Sequence, residues 1–411
     1  MNATTPTPTA ADTGSPIVLA TLCLAAFLAA VSFFATTPFF PDIASDLDTT
    51  VPLLGQAVTL SLVISAVLGL VVGPAADQYG YRRLLFGGVL AIAVYLGGVA
   101  VMPSLPVLLG LSVISAFGDA LVFGLSLTLA SVLFSGPARR RAISWTIASL
   151  STGAIAGIPI LTTIGDLAGW RVAAATAAGA ALLIAWLVLV ALPPDRHRSA
   201  ARFHMRTILD AYAPLVADPP SLRLLAITTL RALWALGVIT YLGAFLDEEI
   251  GLSTREIGWF YMVGGTASTI GGLLGGTRLV GSSPRLTIGA ASLAGGVAIG
   301  VGLWVATLPV ALVLLPLSAA LGSMCNVAVA SLLATESPAQ PGTTMALNAS
   351  LLNFGAALGA AAGGALLAIG GFGAMAVGLP LFAVAGAVLA WWPRRLAPAT
   401  GDACEQALRI T

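Results

Sequence analysis

Twelve long apolar runs recur along the chain and constrain its fold more than any other feature. Each run is long enough for a membrane-spanning helix, which needs about 20 apolar residues. Only 9% of the 411 residues are charged, against about 25% in soluble domains, so a water-exposed surface cannot be built from this chain. The sequence therefore predicts an all-α integral membrane protein with 12 transmembrane helices. The runs lie at residues 17–39, 51–76, 82–102, 105–134, 141–165, 170–192, 222–247, 255–277, 285–305, 309–334, 342–369 and 373–393.

The arginines indicate which loops face the cytoplasm, because basic residues concentrate in cytoplasmic loops. Every basic residue is an arginine, and an arrangement with both termini in the cytoplasm puts all but Arg171, Arg231 and Arg255 on that side. A chain rich in alanine and glycine and without lysine is typical of a GC-rich bacterial genome. We therefore expect a multi-pass protein of the bacterial plasma (inner) membrane. The opposite loops are acidic and carry Asp42, Asp46, Asp48, Asp166, Asp247, Glu248, Glu249 and Glu256.

The longest polar connector divides the runs into two sets of six. We expect a cytoplasmic leader at 1–16, an N-terminal six-helix half at 17–192, a cytoplasmic linker at 193–221, a C-terminal six-helix half at 222–393 and a cytoplasmic tail at 394–411. The leader has no basic residue, unlike a cleavable signal peptide, so the first run is interpreted as a retained helix. A formal net charge of +1 argues against a nucleic-acid partner. The cysteines and histidines show no metal-site spacing, so no metal or cofactor is expected.

The loop between the second and third runs carries a recognisable pattern. It reads GPAADQYGYRR from Gly73 to Arg83, and contains Asp77, Gly80 and Arg82. This pattern resembles the signature loop of the major facilitator superfamily. Together with the six-plus-six layout, the resemblance covers essentially the whole chain and implies the major facilitator fold, with two pseudo-symmetric six-helix halves.

The residues of the signature loop can also hold two helix ends together. Gly73 and Gly80 would let two helix ends meet at a tight turn, and Asp77 can accept charge-assisted hydrogen bonds from Arg82 and Arg83. We hypothesise that this group forms a cytoplasmic gate, which holds the cytoplasmic side closed when the cavity opens outward. The alternative is an orientation signal made of loop charges. Unchanged transport and unchanged accessibility of cytoplasmic cavity cysteines in Asp77→Asn would contradict the gate.

A second motif lies in the fifth span, where Gly153, Gly157 and Pro159 occur close together. It resembles the glycine–proline motif of the 12-span drug:proton antiporter branch, although Ile158 separates the second glycine from the proline. Two small residues four positions apart allow close helix packing, and proline removes a backbone donor and favours a kink. The functional interpretation is a gating helix, and the alternative is ordinary close packing in a glycine-rich membrane protein.

Two ionisable residues, Asp119 and Arg231, lie inside the fourth and seventh spans. A charge at the bilayer centre costs about 2.5 to 3.5 kcal/mol on insertion scales, so each needs a partner, water or a function. In the family fold these spans line the central cavity, which implies that the two residues face each other. One hypothesis makes Asp119 the proton-coupling carboxylate, for which substrate and proton compete near Arg231. The alternative is a permanent structural ion pair.

The fourth span also departs from the antiporter pattern. Antiporters of this branch commonly carry an arginine four residues before the motif glycine of that span. Counting back from Gly118, this chain has Ile114 at that position. Asp119 and Arg231 would therefore have to replace the usual proton relay or form a different device.

Aromatic and polar residues share helical faces in the spans that would line the cavity. A mixture of ring surface and a few polar groups suits amphipathic organic ligands. The resulting candidates for the substrate cavity are Phe33, Phe34, Thr37, Ser115, Phe123, Trp234, Tyr241, Asn326, Asn348 and Asn353.

These features predict a secondary active transporter that works by alternating access around a site at the membrane midplane. We expect proton-coupled efflux of small organic compounds, drugs or metabolites, by a protein that can act as a monomer. Uptake or facilitated exchange of a sugar or other small metabolite is the alternative. An enzyme would need convergent catalytic side chains, which the spans lack, and no GxxxxGK[ST] motif indicates ATP drive.

Overall fold

The computed structural model of the protein consists almost entirely of helices. It describes residues 15–194, 212–277, 283–339 and 341–392, and no strand occurs within these ranges. Because a backbone in hydrocarbon must satisfy its polar groups internally, apolar runs of this length form helices. The helices are α1 (Pro16–Phe34), α2 (Phe40–Asp46), α3 (Val51–Gly69), α4 (Val72–Tyr79), α5 (Tyr81–Val101), α6 (Leu105–Val132), α7 (Gly136–Thr152), α8 (Ile158–Ala168), α9 (Trp170–Ala191), α10 (Pro219–Glu248), α11 (Thr254–Gly275), α12 (Pro284–Val305), α13 (Leu308–Glu336) and α14 (Pro341–Trp391).

Local sequence signals set many of the helix boundaries. Proline occupies one of the first two positions of α1, α3, α6, α10 and α13, where its missing N–H removes no helical hydrogen bond. Ser253 and Glu256 form a reciprocal capping box at the start of α11, which satisfies two otherwise free backbone donors. Gly80 separates α4 from α5 with a φ of 97°, a left-handed value that glycine adopts without strain.

The count of possible membrane spans is ten among the described helices, compared with the predicted twelve. The last of the ten, Gly342–Trp391, has 50 residues, so it would be about 75 Å long if straight, against a hydrocarbon core of about 30 Å. Its backbone leaves helical geometry at Gly370 and Gly371, where the sequence predicts a break between two spans. Helix α11 lies at a predicted span but is not among the ten, because its glycines, serines and threonines lower its mean hydropathy.

Three predicted segments lie wholly or largely outside the described residues. These are the leader, the linker with His197 and His204, and the tail. The described part of the linker includes a short helix at 212–217. Its Tyr212 hydroxyl donates a 3.4 Å hydrogen bond to the Leu70 carbonyl, so the end of the linker contacts the end of α3.

Short connections make successive helices antiparallel, which gives the molecule two ends of different charge. The end that holds Arg82, Arg223 and Arg285 is called the arginine-rich face. There Arg82 donates to the Leu189 carbonyl at the end of α9, and Arg285 forms a 2.6 Å salt bridge with Glu336 at the end of α13. These contacts tie helix ends together. The opposite end is called the acidic face, and it holds Asp42, Asp46, Asp48, Asp166, Asp247, Glu248, Glu249 and Glu256.

Helices that are far apart in the sequence meet at the acidic face. Helix α10 contacts α2, α11 contacts α8, and α3 packs along α14. Tyr241 of α10 fits between Gly55 of α3 and Gly364 of α14, where a methyl group on either glycine would lie within 2.5 Å of its hydroxyl oxygen. That hydroxyl donates a 2.7 Å hydrogen bond to the Ala360 carbonyl. In contrast, α6 and α13 contact each other marginally at most.

Candidate functional site

Asp119 lies in the middle of α6, and hydroxyl groups surround its carboxylate. Ser115, one turn earlier, donates a 2.9 Å hydrogen bond to Oδ2. The other oxygen, Oδ1, is buried and has no hydrogen-bond partner. Ser32 of α1 is near enough to interact with the carboxylate, yet its Oγ also lacks a hydrogen-bond partner. Oδ1 of Asp119 and Oγ of Ser32 are therefore neighbouring buried oxygens, and neither has a hydrogen-bond partner.

Tyr95 of α5 is the third neighbour of this carboxylate. Its buried phenol interacts with the Thr36 side chain and lies within electrostatic reach of Asp119. Asp119, Ser115, Ser32 and Tyr95 together are called the carboxylate niche, which lies between α1, α5 and α6. A hydroxyl group can donate to a carboxylate or accept from a carboxylic acid, so this surrounding is compatible with both protonation states of Asp119.

Arg231 lies in a different part of the molecule, among α10, α12 and α13. The residue is 6% exposed, and its Nε is buried without a hydrogen-bond partner. It interacts electrostatically with Cys325 of α13, whose sulfur is 3.5 Å from the Ser292 hydroxyl of α12. Trp234, one turn further along α10, has a buried Nε1 that also lacks a partner. Arg231, Trp234, Ser292 and Cys325 together are called the guanidinium niche.

Asp119 and Arg231 do not form a salt bridge with each other. Within the described ranges, salt bridges join Arg171 to Asp46 at the acidic face and Arg285 to Glu336 at the arginine-rich face. Asp119 faces α1 and α5, whereas Arg231 faces α12 and α13, so the two side chains point into different helix groups. The permanent ion pair offered as an alternative from the sequence is therefore not formed in this structure.

The candidates for the substrate cavity near the end of α1 form an aromatic cluster. Phe33 and Phe34 meet edge to face with their ring centroids 4.7 Å apart, and Phe34 lies 6.4 Å from Tyr261 of α11. Thr37 is buried and donates a 3.2 Å hydrogen bond to the Phe34 carbonyl. This cluster brings α1 and α11 together.

The other cavity candidates are dispersed. Trp234 and Tyr241 are almost fully buried among packed helices. Phe123 is 52% exposed, and Asn326 and Asn353 are half-buried. Asn348 is buried and accepts a 2.7 Å hydrogen bond from Thr228, which links α14 to α10. The structure thus does not gather these residues at one place.

The signature-loop residues occupy α4, the turn at Gly80 and the start of α5. Gly73 and Asp77 lie in α4, and the side chain of Asp77 is outside the described part of the chain. Arg82 reaches the end of α9, while Arg83 is exposed. The gate contacts that the sequence predicts for Asp77 therefore stay a prediction.

The motif of the fifth span contains a π-helical turn, Gly153–Gly157, between α7 and α8. A methyl group at Gly153 would lie 2.7 Å from the Phe27 carbonyl oxygen, and one at Gly157 would lie 2.3 Å from Val31. Both glycines thus allow close packing on α1. Pro159 stands at the start of α8, directly after this π turn, and the kink that the sequence predicts there stays a prediction. Such turns are frequent at functional sites.

Several residues that complete the two niches are not apparent from the sequence. Ser32, Tyr95 and Ser292 are small or common residues in apolar runs, and they are distant in sequence from Asp119 and Arg231. Their spacing carries no signal, because only helix packing brings them beside the ionisable groups.

Ten of the described helices are long and apolar enough to cross a membrane. The chain belongs to the major facilitator superfamily, because the model of that family matches residues 22–315. Membership of this family points to a membrane transporter and not to an enzyme. The spans of the chain and its bacterial relatives support a multi-pass protein of the bacterial inner membrane.

Two relatives illustrate the relationship. The uncharacterised MFS-type transporter YtbD of Bacillus subtilis (strain 168) is 28% identical over 271 residues, which cover 65% of this chain and 66% of the relative. A chloramphenicol resistance protein of Streptomyces lividans is 31% identical over 189 residues, which cover 45% of this chain and 47% of the relative. The chain thus spans about two thirds and about half of the lengths of these relatives.

A solved structure shares the fold at low sequence identity. It is that of a bacterial homolog of the human lysosomal transporter Spinster, in an inward-facing and unoccupied conformation. The TM-score is 0.72 at 16% identity, with 92% of this chain and 95% of that chain covered.

Proposed function

We propose that this protein is a proton-coupled exporter of small organic compounds that works by alternating access. The carboxylate niche is the observation that carries the proposal. An unpaired carboxylate is costly in a low-dielectric interior, and Oδ1 of Asp119 has no partner. A proton on Oδ1 would let the acid donate to the unsatisfied Oγ of Ser32. The niche therefore supports a proton-binding site at Asp119.

The proposal includes twelve spans in two six-helix halves, with both termini in the cytoplasm. The backbone break at Gly370 and Gly371 supports two spans in place of the one long helix α14, and α11 supplies the remaining span. The arginine-rich face would be cytoplasmic, because basic loops stay on that side. Spans 1, 4, 7 and 10, two from each half, would then line a midplane site, and the protein would act as a monomer.

The packing of the helices supports assigning this structure to one state of the transport cycle, the state that is closed at the acidic face. Side chains close the acidic face around Tyr241, whereas α6 and α13 barely touch. In the proposed orientation this state would be closed to the outside, and the sparse contact between α6 and α13 would leave the path from the cytoplasm open. An exporter binds its substrate in such a state. The gate around Asp77, Arg82 and Arg83 would close that side in the opposite state.

Two similarities support export. The motif with Gly153, Gly157 and Pro159 resembles that of drug:proton antiporters, and one relative is named a chloramphenicol resistance protein. The substrate would therefore be a drug-like or metabolic organic compound. The alternative to export is uptake or exchange of a sugar or other small metabolite.

The test is transport by the purified full-length protein in liposomes with an imposed pH gradient. The panel contains chloramphenicol, fluorescent lipophilic cations and neutral drugs. We expect gradient-driven movement of at least one compound, which falls to the level of empty liposomes in Asp119→Asn. Exchange of that compound in the absence of a gradient should persist in the variant, because substrate binding does not need the proton.

The matched control is Asp166→Asn, which removes a carboxylate from an exposed position at the acidic face. This variant should transport like the wild type. Gradient-driven flux that survives in Asp119→Asn would contradict the proposed proton site. Failure of every panel compound to respond to the gradient would contradict drug export and favour a narrow metabolite carrier.

A further inference from the structure

Arg231 and Trp234 place two buried N–H donors on one side of α10. Residues three positions apart on a helix are neighbours, so these two side chains enter the same space between α12 and α13. The Trp234 ring packs on Gly295 of α12 and Gly322 of α13. Arg231 lies beside Cys325, one turn beyond Gly322. Both Nε of Arg231 and Nε1 of Trp234 are buried without a hydrogen-bond partner.

The other polar groups of the guanidinium niche do not neutralise this charge. Ser292 and Cys325 are engaged with each other at 3.5 Å. No carboxylate among the described residues forms a salt bridge with Arg231. The niche thus contains a full positive charge and an indole donor, without a protein acceptor for either.

An uncompensated charge of this kind is expensive to keep in a protein interior. Burial of an ion costs several kcal/mol even after relaxation and water penetration. The guanidinium group has five N–H donors and no acceptor, and the indole nitrogen is a donor only. The group that satisfies both must therefore accept hydrogen bonds, and a negative charge on it would also offset the charge of Arg231.

We propose that Arg231 and Trp234 form a binding site for a compact anionic group between α10, α12 and α13. The group is the carboxylate of an organic substrate or an inorganic anion such as chloride. For an organic acid, the indole ring would cover the apolar part next to the carboxylate, as expected for a ligand pocket. This consequence for transport rests on the proposed function, whereas the anion site itself does not.

The experiment measures the thermal unfolding of the purified full-length protein in detergent, in a chloride-free Tris–HEPES buffer without a pH gradient. Sodium benzoate, neutral benzamide and sodium chloride are added in separate titrations. We expect a saturable rise of the unfolding midpoint with benzoate and none with benzamide. Arg231→Gln should weaken the apparent benzoate affinity by about tenfold or more, because it removes a charge-assisted hydrogen bond.

Two further variants make the result specific. Arg255→Gln removes the same charge from an exposed position near the acidic face and should respond to benzoate like the wild type. Trp234→Phe keeps a ring but removes the N–H, and should weaken the affinity by about tenfold, because the lost donor would bond to a charged carboxylate. This variant tests the site even if Arg231→Gln fails to fold.

The titrations also distinguish the source of the anion. Saturation by benzoate, with chloride ineffective, assigns the site to an organic acid. Saturation by chloride that competes with benzoate, and that is lost in Arg231→Gln, assigns it to an inorganic anion. Equal responses of the wild type and Arg231→Gln, or an equal effect of benzamide, would overturn the site. Loss of proton coupling at Asp119 would leave these binding results unchanged, so the two proposals can fail separately.

Discussion

The carboxylate niche and the guanidinium niche differ in how well the protein satisfies a buried ionisable group. Both lie among three helices: α1, α5 and α6 around Asp119, and α10, α12 and α13 around Arg231. Asp119 receives a hydrogen bond from Ser115 and has Ser32 beside it. Arg231 has a thiol and an indole beside it, and neither supplies a strong acceptor. Both residues are ionisable groups inside apolar runs of the sequence, yet their surroundings in the structure suit different chemistry.

This difference indicates how each group can be used. Hydroxyl groups both donate and accept, so the carboxylate niche can gain or lose a proton without repacking. The guanidinium stays protonated under all ordinary conditions, and its niche can be completed only by an acceptor from outside. One niche is suited to a proton, and the other to an anionic ligand.

The largest expected effect on stability comes from removing the unpaired charge. Arg231→Met replaces it with an apolar side chain of similar length, which removes the cost of burying an unpaired ion, several kcal/mol even after relaxation and water penetration. We expect a higher unfolding midpoint than that of the wild type in chloride-free Tris–HEPES buffer without benzoate. Arg285→Met is the control, and it should lower the midpoint because it breaks the salt bridge to Glu336. Similar losses in both variants would show that Arg231 has a partner in the folded protein.

A smaller effect should separate the two serines of the carboxylate niche. Ser115→Ala removes the 2.9 Å hydrogen bond to Asp119 and should cost about 1.5 to 3 kcal/mol, the range for bonds to charged groups. Ser32→Ala removes a hydroxyl that makes no hydrogen bond, so its unfolding midpoint should stay closer to the wild type. Both are measured at a pH at which Asp119 is ionised in the wild type. A larger loss in Ser32→Ala would contradict the assigned contacts.

The smallest effect is expected for an ion pair outside both niches. Arg171 and Asp46 are paired at the acidic face, and 44% of each side chain is exposed. Asp46→Asn should reduce stability by about 0.2 to 1 kcal/mol, and added salt should reduce the difference further. A loss as large as that of Ser115→Ala, or one that resists salt, would mean that exposure does not explain the contrast between surface and buried charges.

Much of the fold follows from the sequence because the bilayer restricts a chain so strongly. Every predicted run contains a helix in the described ranges, since a backbone in hydrocarbon must bond to itself. The ends are less predictable: the run at 51–76 contains α3, which stops at Gly69, and part of α4. Gly370 and Gly371 mark a backbone break that local composition already indicates.

The candidate sites were predictable only in part. Asp119 and Arg231 stand out because ionisable residues are rare in spans. Their partners do not stand out, because a serine or tyrosine in an apolar run has no pattern that identifies it. Trp234 and Tyr241 share helical faces with other polar residues in the sequence, yet they pack tightly between neighbouring helices.

The sequence by itself determined the membrane as solvent, the helices, the two oppositely charged faces and the identity of the buried ionisable residues. These properties depend on composition and local spacing, which each segment carries with it. Only the tertiary structure decided that Asp119 faces the hydroxyl groups of α1 and α5, and that Arg231 faces α12 and α13. The physical reason is that the side on which a helical residue finds its neighbours depends on the rotation and packing of whole helices, and these are set by contacts between residues far apart in the chain.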